Sequence, residues 1–280
     1  MPSKTPIFII IAVVTTCAVI GFCVFFPAQL EKQTNLLHDS IVPVISEQAR
    51  TLHGQLFIGD WHSDTLLWKR DLMDKHDYGH VDIPRLQQGN VALQMFTTVT
   101  KSPDGLNYEG NSSDASDNIT KLALVSLWPT NTWNSLAERA LFQASKALEL
   151  VDEFPQQVSL ITSKTDLSEF IIQRQVNPQL LGMLLGTEGS HALDGDLRNI
   201  QRLFDSGFRM MSLQHFFDNK LGGSLHGESG EGLTAFGREA LQQMQSLGIM
   251  LDVSHSSEQV VQDVLAISRQ PLLVSHTGFY

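Results

Sequence analysis

Cysteine is almost absent. Of 280 residues only Cys17 and Cys23 are cysteines, and both lie in one apolar run near the N-terminus. The remainder can form no disulfide and no thiolate metal site, so any bound metal must take His, Asp and Glu as ligands. Clustered positive charge is also missing. There are 19 Lys and Arg against 30 Asp and Glu, a formal net charge of −11, and no basic run. Backbone phosphates are bound by gathered Lys and Arg, so a nucleic-acid partner is excluded. No internal repeat of solenoid period is visible. What is present is ordinary for a globular chain, 42% hydrophobic and 18% charged, and long enough for one large domain or two small ones with a substantial core.

The N-terminal run "IFIIIAVVTTCAVIGFCVFF", Ile7 to Phe26, holds no charged residue and is long enough to cross a ~30 Å hydrocarbon core as a helix. A cleaved signal peptide has a shorter apolar region, of ~7–15 residues, and a small-residue cleavage site, for which "PAQ" is a poor match. The run therefore reads as an uncleaved signal anchor that reaches the membrane through residues 7–26. Lys4 ahead of it sets the N-terminus inside and the body outside the cytoplasm, periplasmic or extracellular. The expected organisation is a cytoplasmic tip and transmembrane anchor over 1–29, a polar stalk or first surface helix over 30–53, and the folded body over 54–280.

In the body, short apolar runs alternate with amphipathic stretches. The runs are "LFIGDWHSD", "VALQMFTTV", "LLGMLLGTEG", "FRMMSLQH", "GIMLDVSH" and "PLLVSH". Ser135 to Phe154 has helical spacing, as does "AFGREALQQMQSLG" with Gly248 as its C-cap, and "SSEQVVQDVLAISRQ" opens on serines able to cap it. Strands alternating with helices predict an α/β fold with a parallel sheet.

Five of the six runs end in a group able to ligate or to move a proton: His62 with Asp64, Glu188, His215, His255 and His276. In a (β/α) barrel the C-terminal strand ends converge on one mouth, where active sites sit. His38, His53, His76, His80 and His226 instead lie in polar or loop-like surroundings. Residues i and i+2 of a strand share a side, so His62 and Asp64 project together; a solvated loop is the alternative for "GDWHSD". Imidazoles and carboxylates without thiolate suit hard or borderline divalent ions, and four ligands plus one bridging carboxylate make a two-metal site. Glu188 suits the bridge because Gly186 and Gly189 flank it, and His215 remains free to act on substrate.

"GDWHSD", "HVDIPRLQQGNVALQMF", "GTEGSHALDG", "GFRMMSLQH", "GIMLDVSHSS" and "PLLVSHTGFY" together resemble the membrane dipeptidase (renal dipeptidase) family, zinc peptidases of family M19. The resemblance runs in order from about Gly54 to Tyr280. It implies a TIM-like (β/α)8 barrel of the metal-dependent hydrolase type, two Zn2+ ions, and hydrolysis of dipeptides by a metal-bridging hydroxide. Carried over by position, His62 and Asp64 match the ligands of one zinc, His255 and His276 those of the other, and Glu188 the bridge. His215 matches the histidine that contacts substrate. His191 matches a hydrogen-bond partner behind the ligands, or else caps the following helix. The same ligands accept Mn2+, Co2+ or Fe2+, and a homodimer is among the implied partners. The family barrel carries two further strands, with a carboxylate-binding arginine and an aspartate near the metals. This sequence stops at Tyr280, so six β/α units and a truncated barrel are expected.

Lys101 to Trp133 forms an insertion that would sit at the mouth, as a lid or as a surface excursion. Trp128 and Trp133 would pack it or touch substrate, and Asn111 and Asn118 stand in glycosylation triplets. Asp194 and Asp218 read as caps or loop groups. Beside the dipeptidase stand two alternatives: a related amide hydrolase for N-acyl amino acids, and a truncated non-catalytic barrel.

Overall fold

The computed structural model describes residues 5–38 and 43–277. The expected tip at residues 1–4 and the last residues, 278–280, lie outside them.

Helix α1 (Thr5–Thr34) carries the apolar run and continues through the boundary expected at residue 29. Among the described side chains from Phe8 to Phe26 most are exposed, with Phe8 68% and Phe25 75% exposed. Among the described residues it is the one helix long and apolar enough to cross a membrane. From Pro27 one face turns inward. Leu30 packs with Ile119, Leu122 and Trp128. Glu31, 2% exposed, meets Arg70 at 3.2 Å, and Lys32 pairs with Asp77 at 2.7 Å. Spacings of three and four residues put Pro27, Leu30 and Glu31 on one helix face.

After α2 (Glu47–Gln55) the chain alternates β1 (Ile58–Asp60), α3 (Ile83–Gln88), β2 (Val91–Val99), α4 (Asn118–Val125), α5 (Leu136–Glu153), β3 (Val158–Leu160), α6 (Lys164–Val176) and β4 (Leu181–Glu188). Then come α7 (Arg198–Asp205), β5 (Phe208–Ser212), α8 (Ala235–Ser246), β6 (Met250–Asp252), α9 (Glu258–Ile267) and β7 (Leu272–Leu273). The strands make one all-parallel sheet in the order β1-β2-β4-β5-β6-β7, with β3 paired to β4. One edge of β4 serves β2 along its length. The other is shared, β3 taking Leu181 to Met183 and β5 taking Leu185 to Thr187. β4 is buried throughout, as a parallel strand covered on both faces should be.

The six expected strands are present, and β3 is a seventh. The sheet is curled: β1 and β7 stand at opposite ends of the strand order, yet the rings of His62 and His276 are 4.0 Å apart. Its concave face carries Leu93, Met95, Leu184, Met210 and Met250, joined by Leu167 and Phe170 of α6. The larger apolar cluster, with Phe96, Leu185, Phe208 and Met211, packs under α5, α7 and α8.

Helix ends follow the expected chemistry. Ser257 caps α9 through the Val260 amide, and Gly248, at φ +74°, takes the left-handed position beyond α8. Asp194 accepts from Leu136 N, Ala137 N and Ser135 Oγ, so it caps α5 from a distant loop. Asp218 orders the 224–229 loop by accepting from Ser224, Glu228 and Ser229 amides.

Candidate metal centre

Glu188, the last residue of β4, is 5% exposed and stands at the middle of the mouth. Its Oε1 lies 3.3 Å from His62 Nε2, 3.4 Å from His255 Nε2 and 3.7 Å from His276 Nε2; its Oε2 lies 3.3 Å from His215 Nε2. Asp64 joins through His62, at 3.1 Å. All six strand-end residues singled out in the sequence therefore meet in one place. Within it, His62, Glu188 and His276 form one set able to hold a cation, and Glu188, His215 and His255 another. His215 thus stands within ligand reach of Glu188, whereas the family resemblance gives it to substrate.

Each side chain is held from behind. His62 and Asp64 lie just past the end of β1 and still point the same way. Asp60 accepts from the His62 amide at 3.1 Å, and β2 grips the turn through Thr97 N to Ser63 O, 2.9 Å, and Thr97 Oγ1 to Asp64 Oδ1, 2.5 Å. Gly189 has φ +84°, and a Cβ there would press on the His215 Cβ at 2.9 Å. Glycine is required because the β5 loop comes this close. Gly186 has a different reason from the one expected, for its missing side chain makes room for Met210 and Met95 in the core. His255 adopts φ +62°, a left-handed conformation uncommon for a residue with a Cβ, and its carbonyl is held by the Leu225 amide at 2.7 Å. His215 Nδ1 donates to the Lys101 carbonyl at 3.1 Å, leaving Nε2 turned to the cavity.

The charges are strongly coupled. Burial works against ionisation of Glu188, but His215, His255 and His62 overcome it and hold the carboxyl well below its usual range. Burial and the repulsion of Glu188 raise Asp64. Burial also disfavours the cationic form of His62, yet hydrogen bonds to Asp64 and Glu188 push it up to about 10. His276 is lowered to about 4 by burial and by the neighbouring His62 and His255.

The donor set fits a cation. The Nε2 atoms of His255 and His276 face each other at 2.8 Å, and at most one can carry a proton toward the other. Four imidazole Nε2 atoms converge on one carboxylate. A divalent ion would take up these lone pairs, and the absence of thiolate fits Zn2+ on imidazole and carboxylate.

His191 lies behind the mouth with both ring nitrogens buried, beside the Asp218 backbone. Burial, and Lys101 nearby, lower it to about 3. His226, one of the histidines set aside from the strand-end group, is 9% exposed and belongs to the mouth. It stacks on Phe216 at 4.6 Å and approaches His255 at 5.1 Å, with its Nδ1 2.9 Å from the Tyr108 carbonyl. The Asn111 amide donates to the His226 carbonyl at 3.0 Å, and Asn111 is 6% exposed. Its triplet offers no free side chain for a glycan in the folded chain.

The cavity over this cluster measures about 450 Å3 and is walled by Leu67, Val99, Leu106, Tyr108, Ile119 and Phe216. The 101–133 segment supplies Ser102, Leu106, Tyr108 and Ile119, so it forms a mouth wall. Trp128 and Trp133 pack inside the cluster beneath it. Sequence reasoning also missed Thr97, Asp252, Ser254 and Ser275; the repeated "VSH" before both His255 and His276 was the available signal.

Residues 46–280 match the model of the membrane dipeptidase family, peptidase family M19. The chain is 27% identical over 254 residues to Dipeptidase 3 of Mus musculus, covering 84% of this chain and 44% of that protein. It spans less than half the length of the curated relatives it matches. Among solved structures it is similar to the probable dipeptidase PvdM from Pseudomonas aeruginosa, with a TM-score of 0.61 at 18% identity, covering 82% of this chain and 55% of that one. A metallo peptidase from Rhodobacter sphaeroides, liganded with a phosphinate mimic of the dipeptide L-Ala-D-Ala, gives a TM-score of 0.52 at 21% identity over 79% of this chain and 65% of that one. At these identities the structural likeness concerns the fold.

Proposed function

The chain belongs to the membrane dipeptidase family, and from that premise we propose that its mouth is the metal centre of a zinc dipeptidase. The observation that carries the reading is the convergence of four imidazole Nε2 atoms on the Glu188 carboxylate, within 3.3–3.7 Å. His62 and Asp64 would hold one Zn2+, His255 and His276 the other, with Glu188 between them. Bound there, the ions supply Lewis-acid polarisation of a carbonyl and a hydrolytic nucleophile at neutral pH.

The chain's own residues do the rest. Leu67, Val99, Leu106, Ile119 and Phe216 give the open mouth an apolar wall, and low-dielectric walls strengthen the electrostatic contacts beside them. His215, with Nδ1–H committed to the Lys101 carbonyl, presents Nε2 to the cavity. In the neutral ring that atom carries a lone pair, so His215 would meet the oxyanion developing on the scissile carbonyl only after taking up a proton at Nε2. The dipeptide substrate class is supported by the names of the relatives and by the dipeptide mimic bound to the Rhodobacter peptidase. The curled sheet is taken as part of a (β/α)8 barrel, and α1 as a membrane anchor that keeps the body outside the cytoplasm.

The test joins elemental analysis of the purified full chain to a dipeptide hydrolysis assay, with N-acyl amino acids as competing substrates. About two zinc ions per chain and cleavage of dipeptides support the reading. A folded chain that binds no metal overturns it, and preference for N-acyl amino acids replaces the substrate.

A further inference from the structure

Asp252 closes β6 and is 0% exposed. Four donors meet its carboxylate. Oδ1 accepts from Ser254 N at 3.1 Å, Ser254 Oγ at 2.8 Å and Ser275 N at 3.0 Å, and Oδ2 accepts from Ser275 Oγ at 2.6 Å. These serines immediately precede His255 and His276. The last distance is that of a charge-assisted O–H···O⁻ bond, and it fixes a direction, because a carboxylate can only accept. The single proton of Ser275 is therefore spent on Asp252.

Ser275 Oγ also lies 3.0 Å from His276 Nδ1. With its proton committed, that oxygen offers the ring only lone pairs, so Nδ1 must be the donor. A neutral imidazole with its proton on Nδ1 has a bare lone pair on Nε2. Nε2 is the atom that faces Glu188 and His255, at 3.7 and 2.8 Å.

We propose that Asp252 and Ser275 form a relay that locks His276 in its Nδ1–H tautomer, keeping Nε2 free to ligate. The ligating role rests on the metal-centre reading above. Asp252 is a positioning residue, acting on the ring through Ser275. The relay is needed here in particular. His215 and His226 receive the same instruction directly, from the Lys101 and Tyr108 carbonyls at 3.1 and 2.9 Å, which have no proton to give. His276 instead faces a hydroxyl, which could donate or accept, and only the charge behind it removes the ambiguity.

The consequence for substitution is specific. In Asp252→Asn, Oδ1 keeps the two backbone donors while Nδ2 takes the place of Oδ2 and donates to Ser275. Ser275 then turns its own proton onto His276 Nδ1 and drives the ring to Nε2–H. Adding Ser275→Ala removes the misdirected proton, so the double variant should be less impaired than the single one.

The experiment is long-range proton–nitrogen NMR of histidines in the metal-free full chain near neutral pH, with His276 assigned from a His276→Asn sample. Zinc affinity is measured by chelator competition on the same proteins. His276 should be Nδ1–H in the unsubstituted chain and Nε2–H in D252N. Zinc binding should weaken in D252N by about 10–100-fold, the usual effect of losing a partner behind a ligand, and recover in part in D252N/S275A. An Nε2–H ring in the unsubstituted chain overturns the relay, and this holds even if a variant fails to fold. So does a D252N ring that keeps the parent tautomer, or a double variant no tighter than the single. Because the tautomer is read without metal or substrate, failure of the chain to take up zinc would defeat the metal-centre reading and leave the relay to be decided by the spectrum.

Discussion

Arg139→Met should be the most damaging substitution away from the ligands. Arg139 of α5 is 1% exposed and donates five hydrogen bonds: to the carbonyls of Thr132, Thr100 and Trp133 at 2.7, 2.8 and 3.1 Å, to Asp117 Oδ2 at 2.6 Å, and to Thr120 Oγ1 at 2.7 Å. These tie the end of β2, the cap of α4 and the turn before α5 into one mouth wall. Methionine fills similar volume and donates nothing. Breaking a buried pair by removing one member costs about 3–5 kcal/mol. Asp117 keeps the amides of Ser102 and Ile119 and the Thr120 hydroxyl, which points to the lower end, about 3 kcal/mol. That is a large part of the ~5–15 kcal/mol that holds an ordinary domain together. Denaturant unfolding of detergent-solubilised chain measures it.

The effect must also depend on pH. Burial opposes the charge on Asp117, but Ser102, Thr120 and Arg139 outweigh it and lower its pKa below the usual 3.8. A group depressed in the folded state stabilises above its unfolded pKa and loses that contribution as pH falls through the folded value. The gap between parent and R139M should therefore be full near pH 7 and shrink below about pH 4. A difference under about 1 kcal/mol at neutral pH, or one that grows on acidification, would refute the reasoning.

Asp64→Ala should release metal and abolish hydrolysis, since Asp64 faces the shared carboxylate through His62; elemental analysis and the dipeptide assay report both. His226→Ala should raise KM while leaving the zinc count unchanged, because the lost ring braces Phe216 and Tyr108 and meets His255 only edge-on, at 5.1 Å, with no hydrogen bond between them; steady-state kinetics separates the two parameters. Chelation should lower the melting temperature and zinc restore it, by about 2.7 kcal/mol of stabilisation at free zinc one hundred times Kd. Glu31→Gln should destabilise the chain by up to about 3 kcal/mol by leaving the buried Arg70 without a counter-charge, although it keeps Thr65 and the Tyr78 and Val81 carbonyls. Lys32→Ala, which breaks an exposed pair, should cost much less, and paired unfolding curves distinguish them.

The His and Glu cluster of the candidate centre was legible because strand-end placement is a property of local pattern. A parallel α/β chain brings the C-terminal ends of its strands together, so reading where the apolar runs stop amounts to reading the site. β3 was not legible: Val158–Leu160 is as short as β1 and β6, but no histidine or carboxylate directly follows it to mark a strand end. Nor was the Asp252 network, which depends on the β6–β7 register that sets Asp252 beside Leu273. His226 looked like a loop histidine because its burial comes from a second loop, joined through Tyr108 and Asn111, more than a hundred residues earlier in the chain. Glu31 looked like stalk for a similar reason, its partner Arg70 lying on a turn that only the folded mouth brings near.

Helix α1 has one more consequence. Leu30 shares a cluster with Val99, Ile119 and Leu67, the residues that wall the cavity, so the helix is a strut and not a tether. With Ile7 to Phe26 in a bilayer, the eight further residues to Thr34 rise only about 12 Å. The mouth would be carried close against the lipid headgroups at one fixed tilt, unable to swivel. On the proposed anchor and dipeptidase readings, substrate would then be met in the thin layer of solvent beside the bilayer.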